Sequence, residues 1–340
     1  MKASAHFIFT IDLATVMRTM AARWLMALAL ALVASLTCAG RQGHAADYPA
    51  RPVRVVVPYA AGGADTFIRP LVSSLEKKYG ITLVIETVVG AGGMIGVGQV
   101  KRSDPDGYTL LFCGSGALAI APRMAKADYK IEDFSPILDL ISIPYVLAIK
   151  KDAPYQTVQG MVEFAKANPG KFTYGTPGVG SAPHLAMEDM AAKLGINITH
   201  VPFSGISTAV TSAIGGHIDA IMGAPNNVLP QVRSGDLIAI GISSRERFEL
   251  APEIPTLREA GADVDVSTNF GFLAPKGTPA AIIEKLANAV RDAASEPQFI
   301  ELMKGMQNRI RILSAAEFSA LLETESAYFA PVIASLPQRQ

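Results

Sequence analysis

Two short turns in this chain could bind an anion with the main chain alone. The first is Tyr59-Ala60-Ala61-Gly62-Gly63-Ala64-Asp65 and the second is Thr176-Pro177-Gly178-Val179-Gly180-Ser181. Glycine and alanine leave backbone N–H groups uncovered, and N–H groups at the start of a helix attract negative charge. Neither turn contains Lys or Arg, so a carboxylate held there would be bound without a salt bridge. Three further turns share this composition: 114–116 with Ser115, 203–207 with Phe203 and Ser204, and 223–227 opening at Gly223. Each alone is an ordinary strand-to-helix turn. At the carboxyl ends of strands in an open sheet, all five would line one cleft.

Other chemistries lack their spacing. There is no G-x-x-x-x-G-K-[ST], G-x-G-x-x-G or G-x-S-x-G. His6, His44, His184, His200 and His217 form neither H-x-H nor H-E-x-x-H, so no metal site is expected. Ser181 and His184 stand three apart, but no orienting acid is evident, and Ser181 reads as a helix cap. Ser115 is the other hydroxyl on which a secreted serine hydrolase would have to draw.

The elements that position these turns follow from periodicity. Val53–Val57 is a β-branched run suited to a buried strand, and Pro58 ends it. Asp65 is placed to cap a helix carrying Phe67, Ile68, Leu71, Val72, Leu75 and Tyr79, which Pro70 must kink or delay. Ile81–Glu86 and Tyr108–Cys113 read as the next strands, and Val89–Gly98 as a Gly-rich entry to a helix. Thr157–Asn168 is amphipathic, Lys171–Tyr174 is a strand, and Ala182–Leu194 is a helix that Gly195 stops. Ile198–Val201, Ile218–Met222 and Leu237–Ile242 are strands alternating with helices at Ser207–Ile214 and Val228–Ser234. This alternation predicts an α/β fold with parallel sheets. Ile137–Ile149, broken by Pro144, leaves the first lobe, and Asn269–Ala274 returns to it. Helices at Thr278–Ala294 and Ala315–Ala330 then finish the first lobe. The expected lobes are 47–147 with 271–340, and 148–270, with a hinge at the two crossings.

The chain has 340 residues, half of them hydrophobic, with no formal net charge, which gives nucleic acid no electrostatic foothold. Arg18 and Arg23 precede an apolar run from Trp24 to Leu36, and Ala45-Ala46 follow. That order is a secretory leader over 1–46, cleaved near Ala45 or Ala46, with Met17 or Met20 as alternative starts. A lipoprotein anchor at Cys38 is disfavoured by the poor Ser35-Leu36-Thr37 lipobox. Without the leader, 26 basic and 29 acidic residues remain, a balance of about −3. Cys113 is then the single cysteine, so no intramolecular disulfide is expected.

The ordered stretches YPARPVRVVVPYAAGGADT, VVGAGGMIGVGQV, DPDGYTLLF, FTYGTPGVGSAPHLAMEDM, HVPFSGISTAVTSAIGGHIDAIMG and GFLAPKGTP resemble the Bug receptors, the solute-binding proteins of tripartite tricarboxylate transporters. The resemblance covers essentially all of 47–340. It implies a type II periplasmic-binding-protein fold, two α/β lobes closing on a small organic anion, with no catalysis and no cofactor. The implied ligand contacts are Tyr59, Ala61, Gly62, Gly63, Ala64 and Asp65; Ser115; Thr176, Gly178, Val179, Gly180, Ser181 and His184; Phe203 and Ser204; and Gly223. Four departures stand out. The first turn is a residue shorter than usual, Ala61 stands where Pro is common, Ser204 replaces a frequent Lys, and Gly223 a polar or acidic residue. The implied ligand is a di- or tricarboxylate, an acidic amino acid or an aromatic acid. The implied partners are membrane transporter subunits, the location is the periplasm, and the state is a monomer. A sensor docking on a signalling partner would use the same cleft.

Overall fold

The structure, a computed structural model, describes residues 48–336. The leader expected over 1–46 lies outside the described residues. Among those described, eleven strands make two sheets. The first has the order β11-β4-β10-β3-β1-β2 and the second β7-β6-β8-β5-β9.

In the first sheet, β1 (Val53–Val57) runs parallel to β2 (Leu83–Thr87) and β3 (Thr109–Gly114). The parallel sheet expected from the strand–helix alternation is in fact mixed. The chain leaves through β4 (Phe134–Pro144) and comes back through β10 (Ser267–Pro275), which is antiparallel to both β4 and β3. The edge strand β11 (Arg309–Ser314) pairs antiparallel with β4. Val55, Val56, Leu111 and Phe112 are wholly buried, as a strand covered on both faces requires.

The second sheet holds β5 (Val146–Lys150), β6 (Thr173–Thr176), β7 (Thr199–Pro202), β8 (Ala220–Gly223) and β9 (Leu237–Ile242). Alternate residues of β5 feed different cores: Leu147 and Ile149 join Tyr174, Met187 and Met222, whereas Val146 and Ala148 join Ala209, Ile221 and Val228. Both faces are therefore apolar, which explains the unbroken hydrophobic runs in the sequence.

Tyr145 alone separates β4 from β5, and it is stitched to the returning chain. Its N–H donates to Ser243 Oγ at 2.8 Å, and its carbonyl accepts from Ser243 N–H at 2.8 Å. Ser243 Oγ donates to the Val266 carbonyl at 2.5 Å, and the Tyr145 and Thr268 hydroxyls are hydrogen-bonded. A third connection was not expected. The helix Ala315–Ser335 places Phe318 and Leu322 in the first core but Phe329 and Val332 in the second. Its last turns thus pack in the second core.

Candidate ligand-binding site

The first turn leaves β1 and enters a helix that is only one turn long, Asp65–Ile68. A second helix, Leu71–Tyr79, starts after Pro70, so the proline splits the expected helix in two. Asp65 is not the cap: Ala64 holds that position, and Asp65 is the first helical residue. The Asp65 carboxylate is 1% exposed and accepts from Arg69 Nε at 2.8 Å through Oδ2, while Oδ1 has no partner among the described residues. Gly62 takes a left-handed φ of 83°, which only glycine adopts without strain. Gly63 N–H donates to Ala60 O at 3.3 Å, but no acceptor among the described residues takes the N–H of Ala61, Gly62 or Ala64. Ala61, Gly62 and Gly63 are exposed and Ala64 is buried. Tyr59 is anchored inward, since its hydroxyl accepts from Gly114 N–H at 3.1 Å and its ring meets Phe270 edge-on at 6.2 Å. Burial pushes the Tyr59 phenol well above its ordinary range, so it stays protonated.

The second turn leaves β6 and enters the helix Ala182–Leu194. Ser181 stands at the N-cap, but its hydroxyl donates to Gly178 O at 2.7 Å and caps nothing. Gly178 and Gly180 have φ of 139° and 77°. Gly180 N–H donates to His184 Nδ1 at 3.2 Å. No acceptor among the described residues takes the N–H of Val179 or Ala182. Thr176 is buried, with Oγ1 2.7 Å from His200 Nε2 and 3.2 Å from Gly178 O. Val179 is exposed at the tip.

The remaining turns lie beside these. Phe203 N–H donates to Thr176 O at 3.2 Å, and the Phe203 ring edge fills the space over Gly175. Ser204 is exposed. Gly223 is buried beneath Ile206, whose Cδ1 would lie 2.5 Å from an added Cβ, so a side chain here would have to push the Ile206 side chain aside. Ser115 is drawn away from the turns. It is 2% exposed, its N–H donates to Asn269 O at 2.7 Å, and its hydroxyl accepts from Asn269 N–H at 3.3 Å, while the Asn269 amide donates to the Glu325 carboxyl.

Within each sheet the turns gather at one edge. β1, β2 and β3 end on one edge of their sheet, and β6, β7 and β8 on one edge of theirs. A Cβ on Gly180 would lie 2.9 Å from Met124 Cε, on the short helix Ala121–Met124 that follows Ser115. The second turn therefore abuts the first lobe just past β3. Cavities of about 610 and 590 Å³ lie elsewhere, the former flanked by Phe134, Lys276 and Arg291, the latter behind the hinge between Arg245, Asn269, Arg311 and Glu325.

This geometry offers main-chain donors and no nucleophile. Ser181 gives its proton to a carbonyl, and His184 Nδ1 is occupied by an amide, so the two do not form a nucleophile–base pair. Cys113 is buried, and burial pushes its thiol far up, which makes it an inert core residue. No group of His, Cys, Asp or Glu among the described residues is arranged to hold a metal. Sequence reasoning missed His200, Met124 and Glu325. Their roles depend on contacts distant in the chain, and only the polar His200 within an apolar strand gave any sign.

The family model described as the tripartite tricarboxylate transporter family receptor matches residues 67–337. The chain belongs to that receptor family. A TctC solute-binding protein from Polaromonas, solved without ligand, is 30% identical, with a TM-score of 0.78 over 85% of this chain and all of the other. The periplasmic binding protein BugD is 31% identical, with a TM-score of 0.69 over 84% of this chain and 98% of its own. MatC from Rhodopseudomonas palustris, solved with bound malate, is 28% identical, with a TM-score of 0.69 over 84% of this chain and 100% of the other. The TctC family is one of solute-binding receptors and not of enzymes, which removes the hydrolase alternative at Ser181 and Ser115.

Proposed function

We propose that this TctC-family receptor captures a small organic carboxylate between its two sheets and delivers it to membrane transporter subunits. The observation that carries this reading is the set of N–H groups of Ala61, Gly62, Ala64, Val179 and Ala182, which have no acceptor among the described residues and lie on turns without Lys or Arg. Such amides, those of the second turn backed by the start of the helix Ala182–Leu194, complement a carboxylate by charge and geometry. The malate bound to MatC supports a dicarboxylate over a neutral solute. Contact with both lobes would stabilise the closed form, with rotation about Tyr145, Ser243 and Val266. The lobes in this reading are the two sheets with their helices, and the receptor acts as a monomer. The leader would send it to the periplasm, with cleavage near Ala45 or Ala46.

The test is a melting-temperature screen against malate, succinate, adipate, citrate, glutamate and benzoate, with glucose as a neutral control. A specific acid at 100 times its Kd should add about 2.7 kcal/mol of stability. Stabilisation by the neutral solute alone would overturn the carboxylate reading.

A further inference from the structure

The turn after β6 is held by side chains that ligand capture itself leaves without a task. His184 is 4% exposed, and its Nδ1 accepts the Gly180 N–H at 3.2 Å. An accepting Nδ1 carries no proton, so this ring is the neutral tautomer with hydrogen on Nε2. His200 stacks on it, with ring centroids 4.0 Å apart and planes 36° apart. His200 Nε2 is 2.7 Å from Thr176 Oγ1, which in turn meets Gly178 O at 3.2 Å and Gly178 N–H at 3.4 Å. Tyr174 packs beside both rings and its hydroxyl donates to Glu188, whose Oε1 is 3.8 Å from His184 Nε2. One ring thus grips the turn at Gly180 and the other grips it through Thr176 at Gly178. Between and beyond those two grips lie the N–H groups of Val179 and Ala182, which nothing in the described chain accepts.

We propose that His184 and His200 are positioning residues, a stacked pair that holds the 176–181 turn so that the Val179 and Ala182 N–H groups are preset for an incoming carboxylate. This inference rests on the binding reading above. Presetting matters because an amide that must first be turned outward spends part of the binding free energy on ordering. In this account His184 touches the turn and not the ligand.

The test uses the full chain and four variants: His184→Leu, His184→Asn, His200→Leu and His200→Gln. An Asn oxygen can stand near the Nδ1 position and a Gln amide nitrogen near the Nε2 position, so those two keep the bonds that the leucines lose. Amide exchange at Gly180 is followed by NMR, malate and succinate affinity by calorimetry, and melting temperature beside both. His184→Leu should speed Gly180 exchange and weaken malate binding by about tenfold, the worth of one hydrogen bond. His184→Asn should return both to within about threefold of wild type. His200→Gln against His200→Leu repeats the comparison where a leucine at 184 does not fold. Unchanged Gly180 exchange in His184→Leu would overturn the proposal, as would an asparagine that behaves like the leucine. If the unaltered chain binds neither acid, the receptor reading is hit for those acids, while Gly180 exchange still decides the role of the histidines.

Discussion

The two glycine-rich turns proposed to hold the ligand are built in opposite ways. The body of the turn after β1 is held mainly by its own backbone, Gly63 N–H to Ala60 O with Thr66 Oγ1 to Gly63 O, and its side-chain ties are at its two ends, the inward Tyr59 and the buried Asp65 paired with Arg69. The turn after β6 is held by the side chains of Thr176, Ser181, His184 and His200. A Cβ at Gly62 would meet nothing within 4 Å, whereas one at Gly180 would strike Met124 of the other lobe. In the proposed account the first turn would adjust to a ligand and the second is preset. The first lobe does have a buried polar knot, Ser115 with Asn269 and Glu325, but it sits against the hinge strand β10 and not beneath the turn.

Four substitutions sharpen or break this contrast. The largest effect should be at Glu325, and on stability. Burial raises its carboxyl to about 7 from 4.5, against the opposing bond from Asn269. The folded chain then keeps a proton that the unfolded chain releases, so this contribution is full below about 4.5 and is lost as pH rises through about 7. Glu325→Gln, which cannot ionise, should flatten the fall in melting temperature between pH 5 and 8 and gain about 3 kcal/mol at pH 8. Equal pH profiles would remove the knot from the account. Gly180→Val should weaken acid binding by about 100-fold, because a β-branched residue at positive φ is strained and its Cβ meets Met124. Calorimetry on a folded variant with wild-type affinity would refute a preset second turn. Thr176→Val removes the hydroxyl from His200 and should cost about 2 kcal/mol in denaturant unfolding. Gly62→Ala should cost about 1 kcal/mol from backbone strain alone and change affinity less than about fivefold. A larger loss there would mean that the first turn is as rigid as the second.

Much of this could be read from the residues. Glycine spacing located both turns, because positive φ at Gly62, Gly178 and Gly180 has a local cause. The β-branched run at Val53–Val57 and the stop at Gly195 are local as well. What escaped was non-local. The direction of β10 is set by where the chain returns from, not by Asn269–Ala274 itself, so a parallel sheet was expected where a mixed one stands. The strand β11 alternates Arg and Ile at a half-buried edge and gave a weak signal. Asp65 and Ser181 looked like caps by residue type, but Arg69 and Gly178 O take their side chains. The helix Ala315–Ser335 carries apolar residues for two cores, and periodicity does not show which residues face which core.

The most direct test of the central claim is an NMR titration of the backbone amides with malate, or with whichever acid of the panel raises the melting temperature most. The account predicts that the amides of Gly62, Ala64, Val179 and Ala182 shift together with one Kd, on both lobes at once. An acid that binds while these amides stay in place, or that shifts only residues around Arg311 and Glu325 behind the hinge, would contradict it.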